Sequence, residues 1–188
     1  MWGLYHHIIQ SYCNDEGVID DLVSQASVPL INFMDKAGQV FRDSPIFNGQ
    51  TPLQLMFAFV SKIFQDGSAL NDEIHSMCAV TLIMALLEHI EGIDEHIHTI
   101  NQLYLKEIGE SQVQSYKNML VQGIMMLFHY NLNATFTSFQ TLGALGQSEG
   151  QSNVLDYILE NTQSMDKDFE IKRMLIGLVT ITLQPEST

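Results

Sequence analysis

Residues from about 70 to 90 of this 188-residue chain read as a helix that is apolar on nearly every face, with Ile74, Met77, Cys78, Leu82, Met84, Leu86 and Leu87. Such a helix cannot rest one side on a core and turn the other to water. It must either cross a membrane or sit among other helices. Its longest nearly apolar run, Met77 to Leu87, falls short of the roughly 20 residues a membrane span needs. The expectation is burial inside a helical stack.

The rest of the chain supplies the neighbours. Residues 2–13 open directly in an amphipathic pattern, and 18–36 follow with Ile19, Leu22, Val23, Ala26, Leu30, Phe33 and Met34 on one face. Pro29 lies within that stretch and is expected to kink it, because proline removes a backbone donor. Gly38 to Gln50 reads as a looser connection. Thr51-Pro52 then looks like an N-cap followed by proline at the first helical position, opening a helix to about Gln65, which Asp66-Gly67-Ser68 should break. Beyond the Glu91-Gly92 turn, Ile93, Ile97, Ile100, Tyr104 and Ile108 form a helical stripe, with Gly109 as its expected C-cap. Val113, Tyr116, Leu120, Ile124, Leu127 and Phe128 mark the next helix, and Leu132, Phe136, Phe139 and Leu142 another. A helix near 152–165 and a last one with Ile171, Met174, Leu175, Leu178 and Thr182 complete the series.

No alternating run flanked by hairpin turns suggests a strand. Taken in pairs, the helices begin near residues 2, 52, 93, 132 and 168, close to the spacing of about 40–47 residues typical of HEAT and armadillo units. The expected fold is therefore all-α, an α-α superhelix or HEAT/ARM-type solenoid of about four to five helical hairpins, with residues 1–188 forming one solenoid segment. A compact helical bundle is the alternative. The abrupt start and the apolar first helix (Trp2, Leu4, Tyr5, Ile8, Ile9) suit a piece of a longer array, since an end repeat needs a polar outer face.

Charge narrows the partners. Lys and Arg number 8 against 22 Asp and Glu, a net charge of −14. That disfavours nucleic acid, which is bound by displacing phosphate counterions with basic groups, and disfavours anionic membrane surfaces. A basic protein partner is the natural complement. The acids concentrate early: 13 against 3 bases through residue 100, and 9 against 5 beyond. They cluster at Asp15-Glu16, Asp20-Asp21, Asp72-Glu73, and Glu88, Glu91, Asp94 and Glu95. Asp20-Asp21, Asp72-Glu73 and Asp94-Glu95 also suit helix starts, where the helix dipole favours carboxylates. Candidate contacts for a basic partner are Asp15, Glu16, Asp20, Asp21, Glu88, Glu91, Asp94 and Glu95. Cys13 and Cys78 are too few for a disulfide framework and read as buried free thiols in a reducing compartment. The N-terminus lacks the pattern of a secretory signal.

Catalytic patterns are not found. His96 and His98 would project about 200° apart on a helix and could not share a metal there. His89 could approach His96, with Glu91, Asp94 or Glu95 completing a site, but no HExxH signature occurs. There is no Gly-x-Ser-x-Gly elbow, and Gly143-Ala144-Leu145-Gly146 does not follow a strand as a nucleotide fingerprint would. The ten methionines fall mostly at core spacing. No enzymatic activity, cofactor or metal is expected.

Several motifs in order resemble a known family. Met1-Trp2, Val28-Pro29-Leu30-Ile31, Gly92-Ile93-Asp94, His129-Tyr130-Asn131-Leu132 and Lys172-Arg173-Met174-Leu175-Ile176-Gly177-Leu178 resemble a C-terminal segment of importin-β-type nuclear transport receptors, nearest the branch of importins seven and eight. The resemblance spans nearly the whole chain and implies a HEAT-repeat segment of a shuttling import receptor, working in cytoplasm, nucleus and nuclear pore. The implied partners are basic protein cargo, such as ribosomal proteins or histones, with Ran-GTP and nuclear pore proteins engaged through the full-length receptor. The family's Ran-binding repeats belong to its N-terminal part, and nothing here resembles them. Two alternatives stand beside this reading: a HEAT or armadillo scaffold unrelated to transport, and a metal-dependent helical enzyme.

Overall fold

The computed structural model describes residues 2–14, 20–44, 49–70, 73–145 and 153–183. These residues are all-helical apart from turns and an isolated bridge between Leu145 and Asn153. The helices are α1 (Trp2–Asn14), α2 (Asp20–Arg42), α3 (Pro52–Leu70), α4 (Glu73–His89), α5 (Ile97–Glu110, after a 3-10 turn at Asp94–His96), α6 (Gln114–Tyr130), α7 (Leu132–Thr141), α8 (Val154–Thr162) and α9 (Asp168–Thr182). They form two compact units, Met1–Glu91 and Gly92–Thr188. No helix among the described residues is long and apolar enough to cross a membrane.

The first unit is organised by α4. His75, Ser76, Ala79, Val80 and the run Leu82–Leu87 are all buried, although Ile74 is exposed. α2 and α3 both pack on α4, and α1 packs on α3. Each fully covered Leu or Ile contributes about 1.5–3 kcal/mol, so α4 draws its neighbours in from several sides. Thr51 caps α3 as its sequence suggests: its Oγ1 accepts from Gln54 N–H, and Gln54 Oε1 accepts from Thr51 N–H at 2.9 Å.

Three breaks fall elsewhere than expected. α3 runs through Asp66-Gly67-Ser68 to Leu70, because Asp66 is held on the helix by Lys62 at 2.8 Å and accepts from the Tyr12 hydroxyl at 2.8 Å. Tyr12 also lies 2.9 Å from His75 Nε2 and edge-on to Phe59, joining α1 to α3 and α4. α2 continues past Pro29, whose missing donor falls opposite Gln25 on the exposed face, where water can take the carbonyl. The helical backbone is interrupted at Ala37 instead, and Gly38–Arg42, expected as loop, is helical. Gly109 lies inside α5; Ser111 N–H still donates to Glu107 O, and the helix ends there because the Ser111 backbone turns extended. Cys13 and Cys78 are partly exposed, not buried.

The second unit is organised by α6, buried from Leu120 to Met125 and at Tyr116, Asn118, Leu127 and Phe128. α5 packs on α7, and α9 lies along α6. The expected pairing of α7 with α8 is not among the principal packings; α6 takes the contacts of both α8 and α9. The reason lies in a polar line along α6. Gln114 donates to Asn161 at 2.9 Å, Ser164 donates to Asn118 at 2.7 Å, and Arg173 donates to Gln122 at 3.1 Å. These groups have no partners on α7, so α8 and α9 are drawn to α6.

α9 approaches α6 so closely that a Cβ on Gly177 would stand 2.6 Å from Met125 Cε and 2.8 Å from its carbonyl oxygen. Gly177→Ala would gain up to about 1 kcal/mol of helix propensity in an open helix, but overpacking here costs about 1–3 kcal/mol. The variant is expected to unfold at lower urea than the wild type. An unchanged or raised midpoint would show that α9 does not sit this tightly on α6.

Candidate functional site

The interruption of α2 at Ala37 creates the most distinctive surface feature of the first unit. There α2 meets the C-terminal end of α4 at van der Waals limits: a Cβ on Gly38 would lie 2.6 Å from His89 O and 3.1 Å from Ile90 Cδ1. Only glycine allows that approach. The bent backbone and the end of α4 enclose an open groove of about 410 Å³, lined by Met34 to Val40 with His89 and Glu91.

Its electrostatics are set by the end of α4, by Glu91 and Asp35, and by Lys36, which lines it as well. α4 is 17 residues long and ends at His89, so its dipole places a partial negative charge, about half an electron, at this end. Glu91 lines the groove and is exposed; Glu88, in the last turn of α4, is exposed as well. Asp35 adds a second carboxylate to the lining. Its partner is Lys36, whose ammonium at 2.6 Å, by hydrogen bond and by charge, holds the Asp35 carboxyl below its ordinary range. The arrangement offers carboxylates and helix-end carbonyls to an incoming Lys or Arg, but no nucleophile beside a base.

The eight acidic residues singled out in the sequence have different fates. Asp15 and Glu16 lie outside the described residues. Asp20 and Asp21 open α2, and only their backbone is described. Glu88 stands exposed in the last turn of α4, and Glu91, two residues beyond its end, lines the groove. Asp94 and Glu95 belong to the second unit, exposed in the 3-10 turn before α5, where Asp94 accepts from Asn131 at 2.6 Å. Asp35 and the bend at Ala37 were missed, and His89 was considered only as a possible metal-site partner of His96. The only signal was Gly38, which the sequence offers equally well as a loop residue.

The histidines disperse. His98 stands 3.2 Å from Ser138 Oγ, His129 3.1 Å from Thr180 Oγ1, and His96 3.5 Å from Glu95. Among the described residues, no three His, Cys, Asp or Glu side chains converge as a metal site would require. Comparison with family models, curated proteins and solved structures finds no match. The resemblance to transport receptors rests on the sequence motifs alone.

Two histidines couple stability to pH. Burial lowers the pKa of His6, helped by His7; burial likewise lowers that of His96, opposed by Glu95. Between these lowered values and the ordinary 6.5, the unfolded chain binds more protons than the folded one, so stability rises with pH there. The contribution is complete above 6.5 and lost as pH falls through the folded values. Thermal melts should therefore show a falling midpoint from about pH 7 to 5.5, with a flatter slope in a His6→Gln/His96→Gln variant. An identical slope in that variant would remove these histidines as the cause.

Proposed function

We propose that this chain is a protein-binding stretch of HEAT-type α-solenoid, a segment of an importin-β-like nuclear import receptor that takes up basic segments of cargo proteins. The observation that carries the binding role is the groove at the bend of α2, where Glu91 lines the wall beside the negative end of α4. A lysine or arginine entering it gains the helix dipole and a carboxylate together.

What supports the solenoid is the order of packing within each unit. α1 stacks on α3 while α2 stacks on α4, and in the second unit α5 stacks on α7 and α6 touches α8, although its broadest packing is with α9, three helices on. Alternate helices layering on one another is how paired helices propagate in a repeat array. The ordered motifs from Met1-Trp2 to Leu178 support the transport assignment, with Ran-GTP and nuclear pore proteins acting through a longer receptor. The excess of carboxylates in the first hundred residues supports a basic cargo, of ribosomal-protein or histone class.

The test is a titration of a labelled, lysine-rich histone-tail peptide against the full chain, followed by fluorescence anisotropy. Binding is expected at low salt, weakening at least about tenfold between 50 and 200 mM salt as contacts between exposed charges are screened. Glu88→Lys/Glu91→Lys should weaken it by about tenfold without lowering the melting temperature, since both residues are exposed. No binding at low salt, or binding indifferent to salt and to the charge reversal, would overturn the assignment.

A further inference from the structure

The outward side of α9 carries a surface of the opposite character. Its inward side is formed by Glu170, Met174 and Gly177. The rest presents Ile171, Leu175, Val179 and Leu183, which are 42%, 56%, 49% and 75% exposed, with Phe169 and Ile176 beside them. Four large apolar residues at strict i, i+4 spacing form one continuous strip about 18 Å long. Scattered apolar residues on a surface need no explanation, but a contiguous strip does.

Charge says what would cover it. From Ile171 to Leu183 there is no acidic residue, in a chain holding 22 of them. The acids of this helix, Asp168 and Glu170, sit in its first turn, where they complement its dipole. Lys167, Lys172 and Arg173 are three of the chain's eight bases. Lys167 Nζ and Arg173 Cζ stand 5.8 and 5.7 Å from the centre of the exposed Phe169 ring, which fixes cations at one end of the strip. Lys172 is exposed and makes no ion pair among the described residues.

We infer that α9 is a docking surface for an amphipathic helix whose apolar stripe is flanked by acidic residues. The strip accepts apolar side chains spaced over about three turns, and the exposed Lys172 meets a carboxylate on the partner's flank, while Arg173 stays with Gln122. Two other occupants fit less well. A second copy presenting the same face would set its own Lys172 against this one's, with Asp168 as the one exposed acid of the helix to answer them. An anionic bilayer is wide enough to meet the chain's acidic surface too, whereas a single helix meets α9 alone, and charges beyond about 8 Å are screened at physiological salt.

The test uses the full chain and three labelled synthetic peptides of about 15 residues: one with leucines at i, i+4 and i+8 flanked by glutamates, one with lysines replacing the glutamates, and a scrambled version of the first. The glutamate peptide should bind, and the other two should bind at least about tenfold more weakly. Leu175→Ser should weaken the glutamate peptide about tenfold. Lys172→Glu should weaken it and strengthen the lysine peptide, a reversal that misfolding would not produce. Unchanged melting temperatures are expected for both variants, because both residues are exposed. Equal binding of glutamate and scrambled peptides, or indifference to both substitutions, would overturn the inference. So would self-association of the chain that Leu175→Ser abolishes, or binding to phosphatidylserine vesicles in place of the peptide.

Discussion

A helix buried around most of its circumference has no stable position at a surface, and each unit of this chain contains one that must be covered. In the first it is α4, buried without interruption from Leu82 to Leu87. In the second it is α6, buried without interruption from Leu120 to Met125. The cost of leaving either open to water exceeds what any one exposed contact returns. α2 and α3 therefore close over α4, while α5, α7, α8 and α9 close over α6. The two central helices differ in how they select their cover. α4 does so by apolar fit, with the Tyr12 hydroxyl bound to Asp66 as the polar anchor at its edge. α6 adds Gln114, Asn118 and Gln122, which accept only neighbours that complete their hydrogen bonds.

The surfaces follow from that packing. Because α2 must pass the end of α4 at the distance Gly38 allows, its helix gives way at Ala37 and the groove opens beside His89 and Glu91. The same packing fixes the charge of the groove, since it exposes the negative end of α4 there. In the second unit, α9 turns Gly177 to the close approach with Met125 and is left with an apolar outer side that carries Lys172. One chain thus carries a recess lined by carboxylates and an exposed apolar strip beside Lys172.

Much of this was legible in the residues. The all-round apolar character of α4 was plain, the Thr51-Pro52 start was correct, and the Gly92 turn appears with a positive φ of 74°. What could not be read were features decided by distant partners. Asp66-Gly67-Ser68 looks like a break until Tyr12 and Lys62 are seen to hold Asp66 in the helix. Gly109 looks like a cap, yet α5 ends two residues later at Ser111. Counting helices in consecutive pairs suggested α7 with α8, but polar complementarity to α6 is invisible to apolar periodicity. Of the acidic site, Glu88 and Glu91 were found by charge, while Asp35, more than fifty residues earlier in the sequence, became a neighbour of Glu91 only through the fold.

The dependence of each unit on its central helix is most directly tested by native-state hydrogen exchange resolved by residue. The amides of Ala79 to Leu87 and of Leu120 to Phe128 should exchange last in their units, at the free energy of that unit's global unfolding. Those of α1 and α9, each covered on one side only, should open earlier. If α1 outlasts α4, or α9 outlasts α6, the central helices are not what the two units are built around.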